Sequence, residues 1–241
     1  MLGVGRWAFA FSSMLTAIIV AAGSSRRMGI DKLFAKIAGT PVLAYVVNAF
    51  ERADCVTEIV IVARKDRLNQ IEKIVRGDNS KKVRSIVAGG ERRQDSVFIG
   101  LSQLGEDVRY VAVHDAARPL ITPKEIERVF RSCRKHGGAA LAEPVTDTLK
   151  RADVDFAVTD PIDRNGVYAM QTPQIFETKL LKEAYRLVAK KNLSVTDEVS
   201  AVEPLGRRIV LVPTHDFNFK ITFPRDLPLA EFVLKQRART G

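Results

Sequence analysis

The hydrophobic positions of this chain alternate between short continuous runs and longer stretches in which they recur every three or four residues. Leu15 to Val20 is a continuous run rich in β-branched residues and reads as a buried strand. Pro41 to Arg52 has helical spacing, with Val42, Tyr45, Val46 and Phe50 on one side. Glu58 to Ala63 is a second strand, and Asp66 to Val75 is a helix with Leu68, Ile71, Ile74 and Val75 as its apolar set. Val83 to Ala88 is a third strand, followed by a helix over Arg92 to Leu104. Tyr110 to His114 is a fourth strand, and Pro123 to His136 is a helix with proline in its first turn. Ala139 to Ala142 is a fifth strand.

Repeated strand–helix units of this kind predict an α/β fold. The expected form is a single Rossmann-like domain with a mostly parallel, twisted sheet flanked by helices. The alternation breaks between Pro144 and Val167, an Asp- and Arg-rich segment with a turn at Asp163-Arg164-Asn165-Gly166. This segment reads as a protruding β-arm. Helices are then expected over Glu177 to Lys190, over Asp197 to Glu203 with Thr196 as cap, and over Pro224 to Lys235. Strands are expected at Arg208 to Val212 and Asn218 to Thr222. Residues 14–238 form the expected domain, with the arm at about 144–167, and residues 1–13 an extension expected to be disordered or loosely docked.

Composition narrows the class without choosing a function. A hydrophobic content of 46% with 27% charged residues is globular, and 241 residues suffice for a real core. The net charge of +10 favours anionic partners. The basic residues are spread along the chain, which argues against a nucleic-acid stripe. No run reaches the about 18 apolar residues that a membrane span requires. Cys55 and Cys133 form no metal-ligand pattern and read as free thiols of a reducing, cytoplasmic setting. The histidines, His114, His136 and His215, are scattered.

In parallel sheets the ligand lies beyond the carboxyl ends of the strands, and there the polar residues cluster. The first strand ends in Ala21-Ala22-Gly23-Ser24-Ser25-Arg26-Arg27-Met28-Gly29, with Lys32 close behind. Small residues let a ligand approach the backbone, and fixed cations add to the free N–H groups, a combination suited to a polyphosphate. It is neither the Gly-x-Gly-x-x-Gly loop nor the P-loop. The third strand ends in Gly89-Gly90-Glu91-Arg92-Arg93-Gln94-Asp95-Ser96 and the fourth in His114-Asp115-Ala116-Ala117-Arg118-Pro119.

These blocks, with Asp147-Thr148-Leu149-Lys150, Asp163-Arg164-Asn165-Gly166, Gln171-Thr172-Pro173-Gln174, Thr196-Asp197-Glu198 and Asn218-Phe219-Lys220-Ile221-Thr222, resemble the 2-C-methyl-D-erythritol 4-phosphate cytidylyltransferases over about residues 15 to 235. The resemblance implies transfer of a cytidylyl group from CTP to methylerythritol phosphate, with release of pyrophosphate, on the non-mevalonate route to isoprenoid precursors. Nucleotidyl transfer needs positioning and positive charge more than covalent chemistry.

The resemblance assigns Arg27 and Lys32 to stabilising the transition state. It assigns Arg164 and Lys220 to holding the substrate phosphate, Arg164 coming from the neighbouring subunit of a homodimer built through the arm. Arg118, Thr148, Thr172 and Thr196 are the further substrate-binding candidates. Ala21, Ala22, Gly23, Gly90, Ser96, Asp115 and Ala116 are those for the nucleotide. Mg²⁺ is the expected cofactor, held through phosphate oxygens and water, with Asp115 the one candidate protein ligand. One departure stands out: the family lysine usually occurs in Pro-Lys-Gln, whereas Asp31-Lys32-Leu33 places it two positions earlier. A ribitol 5-phosphate cytidylyltransferase, a non-catalytic nucleotide-binding module and a basic nucleic-acid-binding protein are the competing readings.

Overall fold

The computed structural model describes residues 15–23, 28–77 and 80–240. The expected extension at residues 1–13 and the candidate Arg27 lie outside the described residues. Seven strands form one sheet in the order β11-β7-β10-β6-β1-β4-β5. These are β1 (Leu15–Ala21), β4 (Val56–Ala63), β5 (Val83–Ala88), β6 (Tyr110–Asp115), β7 (Gly138–Pro144), β10 (Tyr168–Glu177) and β11 (Val210–Pro213). A small hairpin, β2 (Lys36–Ile37) with β3 (Thr40–Pro41), precedes the first helix.

β1 sits centrally between β4 and β6 and is parallel to both. Its residues are almost all buried, as the continuous apolar run requires when helices cover both faces. Helices α1 (Val42–Arg52), α2 (Leu68–Gly77) and α4 (Pro123–His136) lie on one face. Their core includes Leu43, Val47, Phe50, Ile71, Ile126 and Val129. The other face carries α3 (Arg93–Ser102), α5 (Thr178–Lys191) and α6 (Glu198–Val202). It buries Val97, Leu101, Leu181, Tyr185 and Ala201 against Ile18, Val60 and Val113. The last helix, α7 (Asp226–Thr240), closes a third, smaller core around Met28, Ile37, Val42 and Ile221.

Besides the unexpected β2–β3 hairpin, the structure departs from the sequence expectation in three places. β10 is a long strand inside the sheet, antiparallel to both β6 and β7, where no strand was expected. Its run Gln171-Thr172-Pro173-Gln174 interrupts the apolar pattern, and proline lacks the ladder donor that an interior strand needs. The ladder with β7 accordingly breaks register between Met170 and Gln174. Secondly, Asn218 to Thr222 forms no strand and belongs to no sheet. It is held instead by the Ile221 N–H donating to Ala117 O at 2.8 Å. Thirdly, α6 is capped by Asp197, whose carboxylate accepts from the Ser200 N–H at 2.9 Å, and not by Thr196.

The arm is present as a two-stranded ribbon, β8 (Leu149–Ala152) and β9 (Val158–Ile162). Its tip spans residues 153–157, where Asp153 accepts from the N–H groups of Asp155 and Ala157. Val154 and Phe156 at that tip are 91% and 90% exposed.

Candidate active site

A cleft of about 590 Å³ opens at the carboxyl ends of β1, β5 and β6, where the strand-end rule places a ligand. One wall is main chain and small side chains: Ala21, Ala22 and Gly23 after β1, and Gly90 after β5. The glycines are required by packing. A Cβ on Gly89 would lie 2.6 Å from Ser96 Oγ and 2.9 Å from Ala22 Cβ, and one on Gly90 would lie 2.5 Å from Asp95 Cβ. Lys32, Arg92, Arg93 and Lys220 bring four cationic side chains to the same cleft, with Asp115 on its floor. Lys32 reaches it despite its earlier position in the sequence, its Nζ donating to Ile221 O at 3.1 Å.

The floor is built from side chains of alternating charge. Arg93, at the start of α3, donates from Nε to Asp115 Oδ1 at 3.0 Å. Its two terminal nitrogens fork onto Glu198 at 2.7 and 3.2 Å. The second oxygen of Asp115 accepts from Lys220 Nζ at 2.7 Å. Tyr185 on α5 donates its hydroxyl to Glu198 at 3.2 Å. Burial would raise the Asp115 carboxyl, but the Arg93 and Lys220 cations beside it hold it far below the usual carboxylate range. Burial likewise opposes the Arg93 charge, and the Glu198 and Asp115 carboxylates overcome it and raise its pKa. The Tyr185 phenol is raised by burial and by the adjoining Glu198 anion.

A second polar chain lies behind the floor. Thr172 Oγ1 accepts from the Asp115 N–H at 3.1 Å and donates to His114 Nδ1 at 3.1 Å. With Nδ1 accepting, the ring proton sits on Nε2, which faces Arg118 O at 3.3 Å. Burial drives the His114 pKa down to about 3, so the imidazole is neutral.

The structure therefore brings together Ala21, Ala22, Gly23, Lys32, Gly90, Ser96, Asp115 and Lys220 from the expected set. Ser96 is fully buried, and its hydroxyl points inward to Arg92 O at 3.3 Å. Ala116 is buried and does not line the cleft. Arg118 is directed away from it, donating to Asn218 O at 2.8 Å and Met170 O at 3.4 Å, and so pins residues 218–222 to the end of β6. Thr172 is buried, and its hydroxyl proton is engaged by His114. Thr196 and Thr148 are exposed and outside the cleft lining, Thr148 at the root of the arm. Arg164 is exposed on the return from the arm to β10, donating to Thr146 O, and is not among the lining residues of its own subunit.

Sequence reasoning passed over Arg93, Glu198 and Tyr185. Arg93 and Glu198 lie inside quoted blocks, but their pairing joins residues 105 positions apart. Both oxygens of Asp115, the candidate metal ligand, are paired with cations, one with Arg93 and one with Lys220. Among the described residues no three His, Cys, Asp or Glu side chains form a group that could hold a metal ion.

Residues 15–236 match the family model described as IspD, 2-C-methyl-D-erythritol 4-phosphate cytidylyltransferase. The chain belongs to this family. It is similar to the 2-C-methyl-D-erythritol 4-phosphate cytidylyltransferase of Halalkalibacterium halodurans, with 38% identity over 226 residues covering 93% of this chain and 98% of the relative. That of Pelotomaculum thermopropionicum is 39% identical over 230 residues, covering 92% and 95%. Among solved structures, the 4-diphosphocytidyl-2C-methyl-D-erythritol synthase of Anaerococcus prevotii superposes with a TM-score of 0.83 at 30% identity, covering 93% of this chain and 97% of that one. Among the described residues no helix is long and apolar enough to cross a membrane.

Proposed function

We propose that this chain joins CTP to 2-C-methyl-D-erythritol 4-phosphate, forming 4-diphosphocytidyl-2-C-methyl-D-erythritol and pyrophosphate for isoprenoid precursor synthesis. The observation that carries the reading is the cleft itself: a wall of small residues with bare backbone faces cations fixed by a buried charge network. A phosphate oxygen of the polyol attacks the α-phosphorus of CTP, a new P–O bond forms, and the α–β bridging P–O bond breaks. Its electron pair leaves with pyrophosphate. Negative charge grows on the non-bridging oxygens and on the departing group, where fixed cations stabilise it most.

Lys32 acts on the triphosphate, a role its place in the cleft lining supports, with Arg27 as its expected companion. Lys220, its ammonium fixed against Asp115, is suited to receive the polyol phosphate. Ala21, Ala22, Gly23 and Gly90 offer a flat surface for cytosine and ribose. Mg²⁺ would enter with CTP and supply positive charge at its phosphates; among the described residues no group of carboxylates, histidines and cysteines forms a cage for it. A cytoplasmic setting goes with this reading, and the free thiols Cys55 and Cys133 suit a reducing compartment. Arg164 acts in trans: it stands outside the lining of its own cleft, and the two apolar residues at the arm tip call for burial against a second copy in a homodimer.

The test is pyrophosphate release with CTP and Mg²⁺ across a panel of polyol phosphates. Turnover preferring methylerythritol phosphate supports the reading. A preference for ribitol 5-phosphate, or no pyrophosphate with any acceptor, overturns it. Salt-sensitive DNA or RNA binding without turnover would favour a basic nucleic-acid-binding protein.

A further inference from the structure

Glu198 does not line the cleft and is 0% exposed, yet it terminates the row of charges that reaches it. Side chains from four separate elements make this row. Glu198 opens α6, Arg93 opens α3, Asp115 ends β6, and Lys220 lies in the segment ahead of α7. The formal charges run minus, plus, minus, plus, and sum to zero, so no member is left uncompensated in a low-dielectric floor.

The Glu198 backbone is clamped as firmly as its side chain. Its N–H donates to Gln174 Oε1 at 3.0 Å, as does that of Val199. Gln174 in turn donates to Asp197 Oδ2 at 2.9 Å. Gln94 holds the preceding loop, donating to Leu193 O at 2.9 Å and accepting from the Val195 N–H at 3.0 Å. The apparatus around α6 thus ends on one carboxylate, and that carboxylate receives both prongs of Arg93.

We infer that Glu198 is a positioning residue for the acceptor phosphate: through Arg93 and Asp115 it sets where the Lys220 ammonium stands in the cleft. A bidentate guanidinium–carboxylate pair fixes direction as well as distance. With Arg93 so oriented, Nε has one place to meet Asp115, and only the other Asp115 oxygen remains for Lys220. Neutralising Glu198 leaves Arg93 compensated by Asp115 alone, and Asp115 is drawn off Lys220. The acceptor side of the site then loosens while the main-chain wall for the nucleotide stays in place.

This inference rests on the reading of Lys220 as a phosphate-holding residue, and the experiment separates the two. Steady-state constants are measured for both substrates in the full-length Glu198→Gln, Lys220→Met and doubly substituted chains. Glu198→Gln is expected to raise KM for methylerythritol phosphate about tenfold and leave KM for CTP within about twofold. In the Lys220→Met background the same change is expected to cost less than about twofold further, because the residue through which it acts is gone. Glu198→Asp keeps the charge and is expected to recover most of the loss.

A merely structural role would lower the amount of active enzyme and leave both KM values alone, and that result overturns the inference. So does full additivity with Lys220→Met. If Lys220→Met itself leaves the acceptor KM unchanged, the site reading fails and takes the inference with it. If Glu198→Gln does not fold, Arg93→Lys, whose single ammonium cannot fork onto Glu198 while holding Asp115, is read for a rise in acceptor KM exceeding that for CTP. An equal rise in both overturns the inference.

Discussion

The Thr172 hydroxyl and the His114 ring meet at 3.1 Å in a fully enclosed position, the oxygen donating to Nδ1. This contact ties β10 to β6 directly behind the Asp115 carboxylate, and Nδ1 can accept it only while the imidazole is neutral. Burial holds the His114 pKa at about 3, below its ordinary value of 6.5. The unfolded chain therefore takes up a proton between those values that the folded chain refuses. The stability associated with neutral His114 is present above pH 6.5 and is lost as pH falls toward 3. By pH 5 the loss is about 2 kcal/mol, at about 1.4 kcal/mol per pH unit. Glu125, raised by burial, works in the opposite sense. Urea denaturation at pH 7 and pH 5 is expected to show the smaller acid loss in His114→Gln, a comparison in which Glu125 cancels. Equal losses in both chains would refute the assignment.

Asp115→Asn is expected to be more damaging than its conservative size suggests. It removes the anion shared by Arg93 and Lys220, leaving Lys220 without its ion-pair partner. Breaking one member out of a buried ionic set costs about 3 kcal/mol or more. Turnover is expected to fall at least about a hundredfold, with the catalytic loss larger than the denaturation midpoint alone explains. Activity within a few-fold of the parent would show that the Asp115 charge is dispensable.

Gly90→Ala tests the nucleotide wall. Its new Cβ would fall 2.5 Å from Asp95 Cβ, a backbone-proximal atom that cannot swing away. The loop must shift, and with it the surface offered to the base. The expected result is a rise of about tenfold in KM for CTP with the acceptor KM little changed, the reverse of the Glu198→Gln pattern. An unaltered KM for CTP would place the nucleotide elsewhere.

Arg164→Met addresses the origin of the acceptor-holding arginine. The single variant is expected to lose turnover while CTP binding survives. Mixing it with Lys220→Met provides the sharper measurement. If each site takes Lys220 from one subunit and Arg164 from the other, a mixed dimer contains one intact site. Random reassortment then restores about a quarter of the parental activity. No recovery on mixing would assign both residues to the same subunit.

Apart from the short hairpin of β2 and β3, the order of strands and helices from β1 to α4 was legible because each of those elements has an uninterrupted period. β10 was not, since its polar stretch at residues 171–174 exists to hold other parts of the structure: Gln171, Thr172 and Gln174 each bond outward to Glu143, His114 and Asp197. Residues selected for tertiary hydrogen bonds carry no strand periodicity. Asn218 to Thr222 shows the converse. Its alternation looks like a strand, but the segment packs Ile221 into the third core and presents Lys220 without a ladder.

The site divided in the same way. The rule that ligands gather at strand ends found the wall and the floor, from Ala21 to Asp115, because it depends only on topology. The partners of that floor were hidden, because nothing local in Arg93 or Glu198 distinguishes a buried ion pair from a solvated one. Arg118 and Thr172 each bear a group suited to a phosphate or a polyol, and each directs it here at a neighbouring main chain or ring, a pairing that residue type alone does not reveal.

β10 leaves the arm at Tyr168 and ends between β6 and β7 in the middle of the sheet. The outrigger and the keel are thus one continuous timber. Leverage applied to the outer ribbon runs along this spar, through the register break at residues 171–174, to the joint beside His114 and Asp115. Two copies clasped by their ribbons would accordingly brace each other's catalytic floors, and separating them would unsettle chemistry well inboard of the contact.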